Sequence, residues 1–214
     1  GYNMKRKKII FIFILIFCFI GLFISIFKII KWKLDSNEII DEITNIQDIV
    51  EIKETNNEEN TEIIEQIEEI PQYNPYWDYI KMNLIDVNFN ELKQINSSTV
   101  GWIQVNGTNI NYPFVQTNDN KYYLNHTFNK SYNSAGWVFL DYRNNINELD
   151  KNTIIYAHGR YDSTMFGSLK NILSSGWLNN KNNYVIKLST EKENTLWQVF
   201  SVYHIPTTSD YIQT

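Results

Sequence analysis

The apolar and polar positions along the chain change texture several times. Residues 9–27 are almost wholly Ile, Phe and Leu and contain no charge, so every side of the segment is apolar. With Ile29 and Ile30 the run reaches the ~20 residues that carry a helix across a bilayer core. A helical period then takes over, with Ile39, Ile40, Ile43, Ile46, Ile49 and Val50 recurring on one side. It returns with Ile63, Ile64, Ile67 and Ile70 after a polar break at 56–60. Two amphipathic stalk helices are expected there. Pro71 and Pro75 mark the passage into a folded domain.

Beyond the prolines, 76–81 and 88–95 read as one or two short helices, with Trp77, Ile80 and Leu84 as apolar anchors. From Val100 short strands follow one another. The first covers 100–105, with Asn106-Gly107 as its hairpin turn. The return strand, 110–115, carries Pro113, which marks an edge or a bulge. Further strands are expected at 122–124, 136–140, 153–158, 184–188 and 196–204, and one helix at 164–173. Frequent short strands with few helices argue for a mainly β domain, a barrel or sandwich rather than a doubly wound α/β fold. No internal repeat is visible.

Charge sets the direction of the apolar segment. Lys5, Arg6, Lys7 and Lys8 precede it, and Lys28, Lys31 and Lys33 follow, so the positive-inside contrast is modest. Between 35 and 69 there are 13 acidic residues and one base, Lys53, which leaves the N-terminal cluster as the cytoplasmic end. The expected order is a cytoplasmic terminus (1–8, with Met4 as the start), a transmembrane anchor (9–30), an acidic stalk (31–70) and an extracellular domain (71–214). A cleaved signal peptide would need a shorter apolar core and small residues near its end, which 23–30 do not offer. A lipid anchor at Cys18 is opposed by Phe17 before it and by the apolar residues beyond. The net charge of −5 is unevenly placed, with the acidic excess in the stalk, a solvated and self-repelling stretch. From 71 to 214 there are 11 acids and 11 bases, so no basic face points to a nucleic-acid partner. The folded domain has no cysteine, and a domain of ~140 residues buries enough apolar surface without disulfides. The abundance of Ile, Asn and Lys suits a low-GC Gram-positive source.

Three histidines are present, His126, His158 and His204. Neither a His-Glu-x-x-His pattern nor a Cys/His cluster occurs, so no metal or other cofactor is expected. There is no Gly-x-Ser-x-Gly elbow and no phosphate-cradling glycine loop. His158 is the candidate acid/base. A β-branched run at 153–155 leads through Tyr156 and Ala157 to His158, and Gly159 then breaks the strand. Alternation puts Ile154, Tyr156 and His158 on one face, beside a loop expected to be mobile. The plain alternative is a histidine that caps a strand end and does no chemistry.

The segment Asn152-Thr-Ile-Ile-Tyr-Ala-His-Gly-Arg160 resembles the histidine segment of class B sortases, which are membrane-anchored cysteine transpeptidases. The resemblance runs from about residue 75 to 214. Thr99-Val-Gly-Trp-Ile-Gln-Val105 and its return resemble the family's first hairpin, and Asn120-Lys-Tyr-Tyr-Leu-Asn125 its substrate-facing helix or turn. Gly136-Trp-Val-Phe-Leu-Asp-Tyr-Arg-Asn144, Phe200-Ser-Val-Tyr203 and Asp210-Tyr-Ile-Gln-Thr214 follow in family order. The resemblance implies a sortase-like β-barrel with short N-terminal helices. It implies a Cys that attacks the Thr carbonyl of an Asn-Pro-x-Thr-type sorting signal, and an acyl-enzyme resolved by a peptidoglycan amine. The partners it implies are surface proteins with a C-terminal sorting signal and peptidoglycan or its precursor. His158 would protonate the leaving amine and deprotonate the incoming one, and a family Arg would stabilise the oxyanion. Asn120, Leu124, Tyr156, Thr207, Tyr211 and Ile212 would line the sorting-signal groove. Leu124 and Ile212 as core residues, and Asn120 and Thr207 as turn residues, are the plain alternatives.

The family's Cys and Arg lie beyond the residues matched here. Cys18, the one cysteine, sits in the apolar run, where desolvation disfavours a thiolate. Arg143 and Arg160 are not assigned the missing role. The sequence is therefore read as truncated at its C-terminus before the catalytic Cys and Arg, and inactive as it stands. Two rivals are a sortase-like module that binds sorting-signal peptides without chemistry, and a structural anchor whose acidic helices assemble.

Overall fold

Helix α1 (Tyr2–Ile49) opens the computed structural model, which describes residues 2–55, 82–148 and 150–205. Two compact units divide the chain, Gly1–Glu38 and Ile39–Thr214. The first is helical throughout its described residues, with an apolar surface that nothing in the unit covers. Its Ser25 hydroxyl donates to the Gly21 carbonyl at 2.8 Å, which satisfies a polar group within an apolar stretch. Among the described residues α1 is the one helix long and apolar enough to cross a membrane.

The second unit starts with the last turns of α1. Ile39, Ile46 and Val50 are buried in the same core as the sheet residues, and Ile43 packs against them. Glu42, also buried, accepts the Asn129 N–H at 2.7 Å, and Gln47 Nε2 donates to the Asn111 carbonyl at 2.9 Å. These positions fall within the stretch read from sequence as stalk. Their periodic isoleucine face has found a core instead, because the domain's own apolar surface is the nearest partner for such a stripe. Strand β1 (Ile52–Thr55) follows and pairs antiparallel with β2 (Leu84–Val87), Ile52 opposite Val87 and Thr55 opposite Leu84. The second amphipathic stretch, Pro71, Pro75 and the 76–81 helix lie outside the described residues.

Helix α2 (Phe89–Ile95) forms where 88–95 predicts it. Asn88 caps it by accepting the Asn90 N–H, and Phe89 and Leu92 are its buried face. The main sheet then builds from β3 (Thr99–Val105), β4 (Asn111–Val115), β5 (Phe139–Leu140), β6 (Ile155–Tyr156), β7 (Val185–Ser189) and β8 (Asn194–Gln198). Among the described residues their order is β6-β5-β4-β3-β7-β8, antiparallel except for one parallel contact, Val115 with Phe139. The mainly β expectation of a barrel-type sheet holds. Trp102, Phe114, Phe128 and Trp137 are essentially inaccessible, each contributing roughly 1.5–3 kcal/mol by burial. Trp137 Nε1 donates to the Pro113 carbonyl at 2.9 Å, so β4's proline has a side-chain partner where β5 makes no ladder. The bulge sits instead on β3, between Thr99 and Gly101.

Several expectations change in extent. Asn106-Gly107 is part of a five-residue connection, 106–110, closed by Val105 N–H donating to the Ile110 carbonyl at 3.0 Å; Gly107 takes φ +68°. Residues 122–124 form a 3₁₀ turn rather than a strand. The strands expected over 136–140 and 153–158 shorten to two residues each. The helix expected over 164–173 is a 3₁₀ segment, Gly167–Asn171, followed by α3 (Ser175–Leu178), whose first turn Ser174 caps. Strand β8 starts before the 196–204 prediction and stops at Gln198. Apolar alternation marks which residues face the core, but a neighbouring strand must be present before a ladder extends.

Candidate active site

Strands β5 and β6 pair Phe139 with Tyr156 and Leu140 with Ile155, and the Phe139 and Tyr156 rings meet at 5.2 Å. Two residues beyond Tyr156, His158 is half-buried, with Nε2 2.7 Å from the Leu124 carbonyl. A carbonyl only accepts, so Nε2 carries the proton and Nδ1 is the ring's basic atom when the imidazole is neutral.

The Leu124 carbonyl is itself held in place. Leu124 ends the 3₁₀ turn Tyr122–Leu124, which Asp119 Oδ1 initiates by accepting the N–H groups of Lys121 at 2.7 Å and Tyr122 at 2.9 Å. Those two bonds hold the Asp119 carboxyl below its usual range. Gly136, at φ +60°, passes so close that a β-carbon would fall 2.3 Å from the Tyr123 carbonyl oxygen. The adjacent Trp137 N–H donates to that carbonyl at 2.9 Å. Tyr123 is pinned from its other end, its hydroxyl accepting from buried Asn96 at 2.8 Å. The Leu124 side chain is 42% exposed, so the core alternative fails for it.

Behind this turn lies Asp141, fully buried. Its Oδ2 accepts from Tyr156 Oη and Asn120 Nδ2, both at 2.9 Å, and from Arg143 Nη2 at 2.8 Å. Asn120 Oδ1 accepts the Tyr142 N–H at 3.0 Å. The Arg143 guanidinium, foremost among these donors, holds the Asp141 carboxyl far below the ordinary carboxylate range.

The loop after His158 is tied to its surroundings by several hydrogen bonds. Phe166 N–H donates to the His158 carbonyl at 3.0 Å, and Gly159 bridges Met165. Arg160, buried, pairs with Asp162 at 2.8 Å and donates to Thr164 Oγ1 at 3.0 Å. Ser163 and Met165 adopt φ of +66° and +50°, a local strain that these bonds hold in place.

Comparison with known proteins gives the arrangement its context. No family model matches the chain. It is 36% identical over 126 residues to sortase B of Staphylococcus aureus, covering 59% of this chain and 51% of that protein. It is 37% identical over 124 residues to sortase B of Listeria monocytogenes, covering 58% and 50%. The chain is a class B sortase homologue. It spans about half the length of the curated sortase B relatives it matches. Its fold aligns with the S. aureus sortase B–substrate complex at a TM-score of 0.55 and 36% identity, covering 59% of this chain and 57% of that one. A Bacillus anthracis protein described as similar to sortase B aligns at a TM-score of 0.52 and 40% identity, with coverage of 59% and 57%.

In this sortase homologue the expected residues separate into two groups. Asn120, Leu124, Tyr156 and His158 come together around one turn and one strand end. Thr207, Tyr211 and Ile212 lie outside the described residues. Arg143 and Arg160 are both engaged by aspartates of their own loops. Cys18 is in α1 and exposed within its unit. Among the described residues no group of His, Cys, Asp and Glu is arranged to hold a metal ion. Sequence reasoning missed Asp141. Its signal was an acid directly after an apolar strand with an arginine two residues on, a spacing at which an Arg folds back on a carboxylate.

Proposed function

We propose that this sortase homologue is the histidine-bearing part of a membrane-anchored cysteine transpeptidase. It cleaves an Asn-Pro-x-Thr-type sorting signal and joins the surface protein to peptidoglycan or its precursor. A thiolate attacks the Thr carbonyl, the departing amine takes a proton from His158, and a thioester forms. An incoming peptidoglycan amine gives its proton to His158 and displaces the thiolate. The observation that carries this reading is the His158–Leu124 bond, which fixes Nε2 as a donor and gives the ring one basic nitrogen beside the turn that exposes the Leu124 side chain. Asn120, Leu124, Tyr156, Thr207, Tyr211 and Ile212 are proposed to contact the sorting signal. Helix α1 is proposed as a single-pass anchor with its N-terminus in the cytoplasm and the 71–214 domain facing the wall. No cofactor enters the scheme.

Cys18 lies in the apolar stretch of α1, so these 214 residues alone are proposed to turn over no peptide. The test is cleavage of an Asn-Pro-Ala-Thr peptide by the native membrane protein, by its His158→Ala variant and by the 214-residue chain. Cleavage by the native protein, a loss of about 10²–10⁴ in the variant and no turnover by the chain alone are expected. Native protein that binds the peptide without cleaving it would leave a catalytically inactive binding module. For the anchor, a cysteine introduced at Lys151 should react with a membrane-impermeant maleimide in intact cells.

A further inference from the structure

One buried carboxylate draws three parts of this site together. Asp141 follows β5 directly, Tyr156 belongs to β6, and Asn120 precedes the turn that ends in Leu124. The carboxylate accepts five hydrogen bonds. Oδ1 takes the Arg143 backbone N–H and Nε, and Oδ2 takes Arg143 Nη2, Asn120 Nδ2 and Tyr156 Oη, all at 2.8–2.9 Å. An ionised carboxylate has no proton to offer, so each partner must be the donor. The single Tyr156 proton is thus committed to Asp141, and toward any other group the phenol oxygen acts as an acceptor. The Asn120 amide is fixed by opposed demands, with its nitrogen toward the carboxylate and its oxygen toward the Tyr142 N–H. Arg143 supplies the counter-charge at 2.8 Å, which keeps a buried carboxylate tolerable.

We propose that Asp141 is a positioning residue of the transpeptidase site, an inference that rests on the function proposed above. Asp141 orients Tyr156 and Asn120, and through the segment from Asn120 to Leu124 it sets the carbonyl that fixes the tautomer of His158. It acts through these neighbours and touches no substrate.

The test is the ring ¹⁵N spectrum of the full chain in detergent micelles, with labelled histidine. Three rings are present, and loss of one signal in His158→Gln identifies His158. The wild-type ring shows the Nε2–H pattern. Asp141→Asn turns an amide toward donors that need an acceptor, and the His158 ring shifts to a mixture of tautomers. Tyr156→Phe removes one donor but leaves Asp141 its arginine, so it folds even where Asp141→Asn does not. It moves the same signals in the same direction by less. In the native peptide-cleaving protein, Asp141→Asn lowers kcat/KM about 10²-fold, as misplaced groups do. Adding Tyr156→Phe to it costs little more, because the two changes break one network. An unchanged His158 pattern in both variants, beside a lowered unfolding temperature, makes Asp141 a purely structural residue and overturns the proposal. Native protein that cleaves no Asn-Pro-Ala-Thr peptide defeats the transpeptidase reading, while the ring spectra still decide whether Asp141 positions His158.

Discussion

His158 Nε2 reaches the Leu124 carbonyl at 2.7 Å across 34 residues of sequence. A backbone carbonyl is a fixed acceptor that cannot exchange roles with the ring, so the bond selects one tautomer and one orientation together. The turn that presents this carbonyl is held by Asp119, by the close passage of Gly136 and by Asn96 beneath Tyr123.

Replacing His158 by Gln separates chemistry from folding. Peptide cleavage by the native protein should fall about 10²–10⁴-fold. The imidazole is half-buried and makes one bond to backbone, so stability should change by about 1 kcal/mol. Initial rates and urea unfolding of the same preparation check both halves.

Gly136→Ala should destabilise the domain by about 2–3 kcal/mol, because it combines φ +60° with a β-carbon 2.3 Å from the Tyr123 carbonyl oxygen. Gly176 lies within α3 with open space around it, so Gly176→Ala should be neutral or stabilise by up to about 1 kcal/mol. Urea midpoints for the pair provide the comparison.

Asn96 is buried and uses its amide at three points, donating to Tyr123 Oη and the Phe128 carbonyl, each at 2.8 Å, and accepting the Ser98 N–H at 3.0 Å. Asn96→Ala leaves those groups without this partner and should cost about 3 kcal/mol. If thermal unfolding shows a loss below about 0.5 kcal/mol, water has replaced the amide.

Acid stability should depend on Asp141. Its folded-state pKa lies below the unfolded value, chiefly through Arg143, so its contribution is present above the ordinary carboxylate range. That contribution is lost as pH falls below about 4 toward the folded-state value. Asp141→Asn should therefore be less stable at neutral pH yet show a shallower acid limb. Exposed Asp119 and Asp150, also held low, act in the same direction and leave part of the limb in place. Unfolding midpoints from pH 7 to pH 2 trace the difference.

At the opposite end of the scale, burial and then the Asp162 charge push the Tyr112 phenol up to about 12. A raised folded pKa means its stability contribution is intact below pH ~10 and lost as pH climbs through the folded value. Burial also raises the Tyr123 phenol, so ultraviolet titration should show a late phase that Tyr112→Phe reduces without abolishing.

Much of the fold was legible where the signal is local. The apolar run of α1, the short helix at 88–95 and the apolar segments of β3, β4 and β7 each depend on residues within a few positions of one another. Strand lengths were less legible: β5 and β6 end after two residues because their ladders extend no further than Phe139–Tyr156 and Leu140–Ile155. The isoleucine stripe from Ile39 to Val50 has the same period whether it meets another helix or a sheet, so its destination could not be read from spacing. Within the site, His158 and Tyr156 were visible at a strand end, whereas Asp141 looked like an ordinary loop acid.

By itself, the sequence determined an apolar helix long enough to span a bilayer, a mainly β domain and a histidine placed where a strand gives way to a loop. Composition and short-range period suffice for each. Tertiary structure alone decided that Ile39, Ile46 and Val50 join the domain core, that Asp141 gathers Tyr156, Asn120 and Arg143, and that the Leu124 carbonyl sets the His158 ring. Most of these contacts join distant segments, and a buried polar group takes whichever partner the fold brings within hydrogen-bond distance.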